Sequence, residues 1–595
     1  MARLPYGSGK KVAPSARKGW RFGAAVGVAL AALAPSLTHC YATGQGSSPP
    51  LDRLYFPVGL AVSHGGKTLY ALNSDFDLQY NGGTIQSLDL TAIRRDALLA
   101  IARPYHSALP LARPEERPEG ADTLSCAELS LPGVRKDGTA RPLGESCAPP
   151  VVASAYVRDA AVIGAFGTDL QISRNRALLD PPSGQARLGP RAKDRLFAPL
   201  RGSAAVLWVD VDSDLGAGDP TKLDCGTRVD ARCDAIHLTG PNPDNEPQNT
   251  RKLTLPGEPF GLAQGQDGSS MVVTHQNDTK ATLVTTGLPY TCENGAPPCD
   301  RPAVQFVAEG VRTGGTSIVS VPYDGEAFAA GKIPKPAFLG TSRLVAEIGL
   351  LREYPDQTDG VASTLRRPFL SRERAYPLTI AAGGTDSRGI VLDPSPRIAC
   401  KARAKSEADR VACARKPLRV FVANRSPAAL LVGELGSDVG NDTIDTFDPE
   451  KLTFYDSIPL TQGPSKVFLA PIVDANGKYV LRVFVVCFDA SSIFVIDPET
   501  RELENTIRVE AGPFAMAFDP FDLAKVATGE AVLTENVAVP ALGDTSVRKY
   551  RFAYVASFTK SAIQVVDLDN SVSNKDTFEK VVFTVGEPTL PKGVK

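Results

Sequence analysis

The segment PVGLAVSHGGKTLYALNSDFDLQYNGGTIQSLDL, from Pro57 to Leu90, carries the pattern from which we predict the fold. We divide it into three strands, Val58 to Ser63, Thr68 to Asn73 and Thr84 to Leu90. Glycines fill the first turn, because glycine adopts positive φ angles without steric cost. The middle strand is a nearly unbroken apolar run, which is typical of a strand buried on both faces.

Copies of these strands recur along the chain, and such self-similarity indicates a repeat architecture. The second strand returns as MVVTHQN (Met271 to Asn277), RVFVAN (Arg419 to Asn424), RVFVVCF (Arg482 to Phe488) and RFAYVAS (Arg551 to Ser557). The third strand returns as VLWVDV (Val206 to Val211), IFVIDP (Ile493 to Pro498), IQVVDL (Ile563 to Leu568) and, more loosely, LLVGEL (Leu430 to Leu435) and IVSVPY (Ile318 to Tyr323). The Pro-x-Gly opening returns as PFGLA (Pro259 to Ala263) and in weaker form as PSKVF (Pro464 to Phe468) and PFAMA (Pro513 to Ala517).

About seven such units are present, and sheets with inner strands of this kind must stack on neighbouring sheets, as in a β-propeller. The pattern PxGLAVSxxGKxLYxxNSxxxxIxxxDL resembles the YVTN-type propeller repeat of bacterial surface and periplasmic proteins. The resemblance implies a seven-bladed propeller that is usually a binding or scaffold module, although some propellers of similar fold are lactone hydrolases or subunits of redox enzymes. We therefore predict an all-β fold, a seven-bladed β-propeller with long loop insertions and one or two short helices.

The insertions and the closure of the ring can also be predicted. Apolar spacing typical of a short helix occurs in two insertions, at Ile93, Ala97, Leu98 and Ile101 and at Leu344, Ile348 and Leu351. We predict that Lys580 to Val585 adds a strand to the blade that begins near residue 57, because such pairing removes open sheet edges. Residues 53–595 would then form a single propeller domain closed by the C-terminal strand.

The first 40 residues are typical of an export signal. A basic segment precedes the apolar run Gly23 to Ala34, which is shorter than the roughly 20 residues of a transmembrane helix. Leu37 to Cys40 resembles a bacterial lipobox, although His39 stands where a small residue is usual. The sequence thus predicts lipidation at Cys40, with simple cleavage after Ala42 as the alternative. Residues 41–52 would be a flexible tether, and the protein would lie at the outer membrane, in the periplasm or on the cell surface.

Eight of the ten cysteines form four close pairs, each inside a predicted insertion: Cys126–Cys147, Cys225–Cys233, Cys292–Cys299 and Cys400–Cys413. This pattern predicts local disulfides in an oxidising compartment, each worth about 2–4 kcal/mol. Zinc is the alternative, but spacings of Cys-x7-Cys and Cys-x6-Cys are poor for a metal site. Cys487 lies in an apolar run and is predicted to be a buried thiol.

Four carboxylates after the second unit are the calcium candidates: Asp210, Asp212, Asp214 and Asp219. Their glycine comes one place later than in an EF-hand, and Thr221 stands where the EF-hand has Glu. The competing interpretation is that aspartates at the ends of third strands cap turns, as Asp210 would in common with Asp89, Asp497 and Asp567.

A second acidic run, Asp75 and Asp77 with Asn81, has an Asx-type turn as its competing interpretation. Five histidines are present, at positions 39, 64, 106, 237 and 275, and His275 on an inner strand is expected to be a satisfied core or channel residue. The sequence has no Ser-His-Asp order, G-x-S-x-G, H-E-x-x-H or Walker motif, so it identifies no catalytic residue and no cofactor.

The composition of the chain limits the classes of function that we consider. The chain of 595 residues has a formal net charge of -1 and no basic stripe, which gives no support for nucleic-acid binding. We predict a monomeric, non-enzymatic binding or scaffold protein that meets a protein or cell-envelope component at one propeller face. A lactonase-type hydrolase is the second hypothesis and would need acidic and histidine side chains converging near the central axis. The third is a structural envelope protein without a specific ligand.

Overall fold

Seven antiparallel four-stranded sheets follow one another along the chain in a computed structural model. The structure describes residues 46–102, 150–173, 193–215, 218–242, 249, 251–266, 268–287, 301–322, 336–354, 368–378, 386–437, 449–530, 537–539, 544–547, 550–571 and 577–587. In every sheet the strands are neighbours in chain order, and the first of the four lies nearest the axis. This is the predicted seven-bladed β-propeller.

The strands of the first four blades, from the innermost to the outermost in each, are β1 (Pro57–Val62), β2 (Thr68–Asn73), β3 (Thr84–Asp89) and β4 (Val157–Val162); β5 (Gln171–Ser173), β6 (Lys193–Leu200), β7 (Ala205–Asp212) and β8 (Leu238–Thr239); β9 (Pro259–Gln264), β10 (Ser270–His275), β11 (Lys280–Thr285) and β12 (Ala303–Glu309); and β13 (Gly315–Ser320), β14 (Ala337–Ser342), β15 (Glu347–Tyr354) and β16 (Phe369–Pro377).

The last three blades are β17 (Ser387–Asp393), β18 (Leu418–Arg425), β19 (Ala428–Ser437) and β20 (Pro449–Pro459); β21 (Pro464–Val473), β22 (Tyr479–Cys487), β23 (Ser492–Ile496) and β24 (Leu503–Arg508); and β25 (Pro513–Phe518), β28 (Phe552–Ser557), β29 (Ala562–Asp567) and β30 (Val581–Val585). A two-stranded hairpin, β26 (Val537–Val539) and β27 (Asp544–Val547), is inserted in the seventh blade.

Among the described residues, buried apolar side chains form seven clusters, and each cluster is shared by two neighbouring blades. The cluster between the first and last blades joins Leu69 and Ala71 of β2 to Phe552 and Tyr554 of β28. Because each blade is apolar on both faces, every blade buries itself against both neighbours. That mutual burial closes the ring.

The predicted pairing of Lys580 to Val585 with the first blade is wrong. Strand β30 pairs with β29 of its own blade, and β4 completes the first blade. Backbone hydrogen bonds join the first unit to β30 at Val151, whose N–H donates to Thr584 O (3.0 Å) and whose carbonyl accepts from Gly586 N (2.7 Å). The ring of Tyr156 also packs against Phe583 of β30. The seventh blade has only three other strands and uses β30 as its fourth, so the C-terminal strand does not complete the first blade.

The fourth blade departs most from the prediction. IVSVPY overlaps the innermost strand, β13, and is not a third strand. The helix predicted at Leu344, Ile348 and Leu351 is absent, because Ile348 and Leu351 lie in β15, which pairs with strands on both sides. Their spacing fitted a helix, but ladder hydrogen bonds to two neighbouring strands outweigh such a local preference.

Four α-helices occur among the described residues, more than the one or two expected: α1 (Leu90–Ala102), α2 (Ser395–Arg403), α3 (Glu407–Ala414) and α4 (Leu523–Thr528). Helix α1 is the one predicted from Ile93 to Ile101, and its apolar residues join the cluster between the first and last blades. In the described part of the chain, none of these helices has the length and apolarity required to cross a membrane.

Two of the four predicted disulfides are formed, Cys225–Cys233 and Cys400–Cys413, and the second joins α2 to α3. The pairs Cys126–Cys147 and Cys292–Cys299 lie outside the described residues, as does Cys40. Cys487 is a buried free thiol as predicted, and burial raises its pKa to about 12.

Candidate functional site

A cavity of about 310 Å³ lies on the axis of the ring and is lined by residues of the innermost segments of all seven blades. Its volume is at the lower end of the range of small-molecule sites. The walls are mainly apolar and include the rings of Phe260, Phe468 and Phe514. Charged side chains reach it from three blades, at Asp169, Arg388 and Lys466.

One position in each innermost segment explains the shape of this cavity. This position is the one that glycine occupies in the Pro-x-Gly opening. From the first blade to the seventh, the residues at this position are Gly59, Asp169, Gly261, Ser317, Gly389, Lys466 and Ala515. In four of the strands the pairing shifts just before this residue, which marks a β-bulge: β1, β17, β21 and β25. Bulges re-aim side chains, and here they recur at the cavity wall.

Small residues occupy this position in five blades because neighbouring innermost segments nearly touch there. A Cβ atom added at Gly59 would lie 2.6 Å from Leu170 Cβ, and one added at Gly389 would lie 2.9 Å from Lys466 Cα. Contacts that short require the backbone to move. The charged side chains of Asp169 and Lys466 are therefore the exceptions at this level of the axis.

Asp169 and Lys466 form an ion pair across the cavity, with Lys466 Nζ 3.0 Å from Asp169 Oδ1. They belong to the second and sixth blades, which are separated by two blades on the shorter arc of the ring. Lys466 Nζ also lies 5.1 Å from the ring centroid of Phe514. The side chains keep 27% and 22% of their surface exposed, so the pair contributes only about 0–1 kcal/mol to stability.

Five other polar side chains of the described lining have partners within the protein: Thr168, Gln171, Thr316, Arg388 and Ser465. Arg388 Nη2 donates to Asp386 Oδ2 (2.9 Å). Hydroxyl and amide groups donate to backbone carbonyls, as in Thr168 Oγ1 to Phe260 O (2.7 Å), Thr316 Oγ1 to Ser387 O (2.9 Å) and Ser465 Oγ to Val486 O (3.1 Å). The cross-cavity pair, by contrast, makes one hydrogen bond and is partly exposed, so a ligand can replace it at little cost.

Aromatic side chains extend from this cavity to one face of the ring. We call them the aromatic mouth: Tyr55, Phe56, Phe76, Tyr80, Phe166, Phe488, Phe514 and Phe558. Their neighbouring ring centroids are 4.8 to 6.3 Å apart, and they come from the first, second, sixth and seventh blades. Phe76 is 53% exposed and Leu78 beside it is 56% exposed. Aromatic residues are enriched at binding interfaces, and exposed apolar patches often mark interaction sites.

The acidic run beside the mouth forms the Asx-type turn that was the competing interpretation. Asp75 Oδ1 accepts from Tyr80 N (3.2 Å), and Asp77 accepts from Gln79 N (3.3 Å) and from the Tyr55 hydroxyl. Asp75 is buried, and its Oδ2 has no hydrogen-bond partner among the described residues. Burial raises the pKa of this carboxyl to about 7. Asn81 lies apart from these contacts and accepts from Arg232 (2.8 Å).

The structure gives the four calcium candidates separate partners. Asp210 pairs with Arg195 (2.6 Å), and Asp214 caps the first-blade turn by accepting from Gly65 N (2.6 Å). Asp212 accepts from Asp219 N at 3.1 Å. Asp219 accepts from the hydroxyl of Thr221 (2.6 Å). In the described ranges, no three His, Cys, Asp or Glu side chains converge as a metal ligand set.

Turn capping by aspartates at the ends of third strands is confirmed in three blades. Asp89 accepts from Ala92 N (2.9 Å), Asp497 from Glu499 N (2.6 Å) and Asp567 from Asp569 N (3.1 Å). Asp210 occupies the same position but uses both oxygens for the Arg195 guanidinium.

The histidines in the described part of the chain lie away from the cavity lining. His275 is buried, bonded to Gly257 O and Thr282 Oγ1, and burial lowers its pKa to about 4, so it is the satisfied core residue that was expected. His237 stacks on Trp208 at 3.8 Å, and His64 contacts Asp194. His39 and His106 lie outside the described residues.

Sequence reasoning missed the cross-cavity pair. Lys466 was visible as the residue that replaces glycine in the weaker copy PSKVF. Asp169 gave no signal, because the innermost strand of the second blade, β5, is only three residues long and begins after it.

No family model and no curated protein matches this chain, so the resemblance to YVTN-type repeats stays a prediction. Solved structures with a similar fold include Kuenenia stuttgartiensis hydrazine synthase, with 10% identity and a TM-score of 0.40 over 89% of this chain and all of that chain. A provisional 6-phosphogluconolactonase from Bacteroides uniformis has 13% identity and a TM-score of 0.37 over 79% of this chain and 91% of its own. The periplasmic gluconolactonase of Pseudomonas aeruginosa has 12% identity and a TM-score of 0.35, with coverages of 77% and 86%. At these values the likenesses carry no argument about function.

Proposed function

We propose that this chain is an exported, lipid-anchored β-propeller of the YVTN type that binds a ligand or partner at its aromatic mouth and central cavity without catalysing a reaction. The observation that carries this proposal is the Asp169–Lys466 pair. The lactonase-type alternative needs acidic and histidine side chains that converge at the axis, whereas the described cavity lining presents one carboxylate, Asp169, which is held by Lys466.

The aromatic mouth supports binding at this face. Its rings are held against one another beneath Phe76, which is half exposed. Rigid aromatic side chains supply large contact areas at a low entropic cost, and they are enriched at protein interfaces. A protein or a cell-envelope component is the partner that we propose for the outer part of the mouth.

Two formed disulfides support export, because such bonds persist in oxidising compartments. With the lipobox-like segment at Cys40, they favour a location at the outer membrane, in the periplasm or on the cell surface. Intact-mass analysis of membrane-extracted protein tests this part. A diacylglyceryl-modified chain that starts at Cys40 is expected, whereas a free terminus at Thr43 would contradict the anchor.

Thermal unfolding in the presence of a small-molecule panel tests the binding function. The panel contains amino acids, carboxylic acids, sugars and lactones, and lactone consumption is followed in parallel by titrating the acid released. A ligand at about 100 times its Kd adds about 2.7 kcal/mol to the free energy of unfolding, so the Tm rises measurably. We expect at least one compound to raise Tm with no turnover.

The matched variants are Phe76→Ala in the mouth and Tyr455→Ala on the outermost strand β20, where Tyr455 is 44% exposed. Protein binding or ligand binding at the mouth should weaken only in Phe76→Ala. Lactone hydrolysis that Asp169→Asn abolishes would instead establish the second hypothesis, a hydrolase.

A further inference from the structure

The cross-cavity ion pair suggests what kind of ligand the cavity takes. At the level where five blades carry Gly, Ser or Ala, the second and sixth blades present one negative and one positive group that face each other. The lysine has a flexible four-carbon stem, so its ammonium group can withdraw and open a space between the two charges.

A ligand with a single charge does not suit this space. An anion that fills the cavity would take Lys466 and displace the water that reaches Asp169, which would leave this carboxylate without a partner beside largely apolar walls. A cation would do the same to Lys466. Arg388 offers no substitute, because its guanidinium is held by Asp386. A ligand that carries both charges replaces one ion pair with two, so that both Asp169 and Lys466 keep a partner of opposite charge.

The remaining walls indicate the rest of the ligand. Phe260, Phe514 and Met516 lie around the charged pair, and they are apolar. The cavity of about 310 Å³ has room for a small molecule but not for a folded segment. An apolar side chain next to the two charges would therefore be buried against these residues.

We propose that the central cavity binds a small zwitterion, an α-amino acid with an apolar side chain, whose ammonium group pairs with Asp169 and whose carboxylate pairs with Lys466. This inference rests on the binding function proposed above and names the ligand class for the same cavity.

Calorimetric titration of the mature protein with four matched compounds tests it: L-phenylalanine, N-acetyl-L-phenylalanine, L-phenylalanine amide and N-acetyl-L-phenylalanine amide. L-phenylalanine carries both charges, the acetylated acid carries only the negative charge, the amide carries only the positive charge, and the acetylated amide carries neither. L-phenylalanine is expected to bind at least about tenfold more tightly than any of the other three.

Variants then locate the site. Asp169→Asn and Lys466→Met should each weaken L-phenylalanine binding at least about tenfold, and the double variant with Asp169→Lys and Lys466→Asp, which keeps both charges, should restore much of it. The control is Lys193→Met, which removes an exposed ion pair with Asp224 far from the lining and should leave the Kd unchanged.

Binding of the acetylated acid or of the amide as tightly as the amino acid would overturn the inference. So would no binding by any of the four compounds, or an L-phenylalanine Kd that neither single variant changes. A compound of another class that raises the Tm in the panel described above would, in the same experiments, preserve the binding function while removing the amino acid as its ligand.

Discussion

Asp519 and Asp169 each pair with a cation from another blade or its insertion, in surroundings that differ completely. Asp519 is fully buried between the last and first blades and accepts from Arg94 Nε (2.7 Å), from the Tyr554 hydroxyl (2.7 Å) and from two backbone N–H groups. Asp169 accepts one hydrogen bond, from Lys466, and remains 27% exposed.

Burial therefore distinguishes a charged pair that stabilises the fold from one that can exchange partners. Burial would lower the pKa of Arg94, but the negative charge of Asp519 raises it above its ordinary value, so the guanidinium stays charged. Removing one partner there leaves an uncompensated buried charge. At the axis water reaches both charges, so opening the pair costs little. The Asp519–Arg94 pair stabilises the contact between the first and last blades, whereas the Asp169–Lys466 pair can be replaced by a ligand.

The largest expected effect comes from breaking the buried pair. Asp519→Asn keeps the size of the side chain but leaves Arg94 charged and buried, so the free energy of unfolding should fall by about 3–5 kcal/mol. Urea unfolding followed by tryptophan fluorescence measures it. Asp224→Asn, at an exposed ion pair, is the control and should change stability by less than about 0.5 kcal/mol. Equal effects of the two variants would remove the distinction drawn above.

A smaller loss is expected where the axis is most crowded. Gly59→Ala places a Cβ 2.6 Å from Leu170 Cβ, so neighbouring innermost segments must separate, at a cost of about 1–3 kcal/mol. Gly257→Ala is the matched control, because nothing lies within 4 Å of its added Cβ. Thermal unfolding should show a lower Tm for the first variant and no loss for the second. An unchanged Tm for Gly59→Ala would mean that the axis has room that the structure does not show.

Asp75 extends the comparison to a buried carboxyl that has no cation. Its pKa rises from 3.8 to about 7 on folding, so between about pH 4 and 7 the folded chain binds more protons than the unfolded chain. The contribution of this group therefore destabilises the fold increasingly as the pH rises through that window.

Asp75→Asn should raise the free energy of unfolding by about 2–3 kcal/mol more near pH 8 than near pH 5, because most of the titration window of Asp75 lies between these two values. Asparagine keeps an oxygen for Tyr80 N and tolerates the φ angle of 50° at this position. Urea unfolding of both proteins at the two pH values gives the difference, in which the titration of all other groups cancels. The same difference at both pH values would show that ionisation of Asp75 is not its cause.

The smallest effect is expected at the cavity. Asp169→Asn and Lys466→Met should each change the free energy of unfolding by less than about 1 kcal/mol, because the pair is partly exposed and makes one hydrogen bond. The same urea titrations measure it. A loss near that of Asp519→Asn would make this pair a structural one and weaken its assignment to ligand binding.

Much of the fold could be predicted from local pattern. The apolar second strands, the turn-capping aspartates and helix α1 depend on residues close together in sequence, and the structure contains them as expected. The fourth blade was misassigned because Ile348 and Leu351 match a helical spacing as well as a strand. The closing strand was misassigned because repeats show how many strands exist but not which edge each one joins.

The candidate site could not be predicted in the same way. Lys466 and Asp169 are 297 residues apart. Lys466 stands in the weaker repeat copy PSKVF, but Asp169 lies in none of the quoted repeat copies. Only the angular position of the second and sixth blades in the ring brings them together.

Local composition is enough to predict that about seven apolar β units must bury both of their faces, because apolar side chains avoid water wherever the unit lies. The pairing of charges across the axis and between the first and last blades depends on how the closed ring places the blades. The physical reason is that hydrophobic burial is non-directional and follows local composition, whereas an ion pair needs two groups within about 4 Å, a distance set by the closed ring.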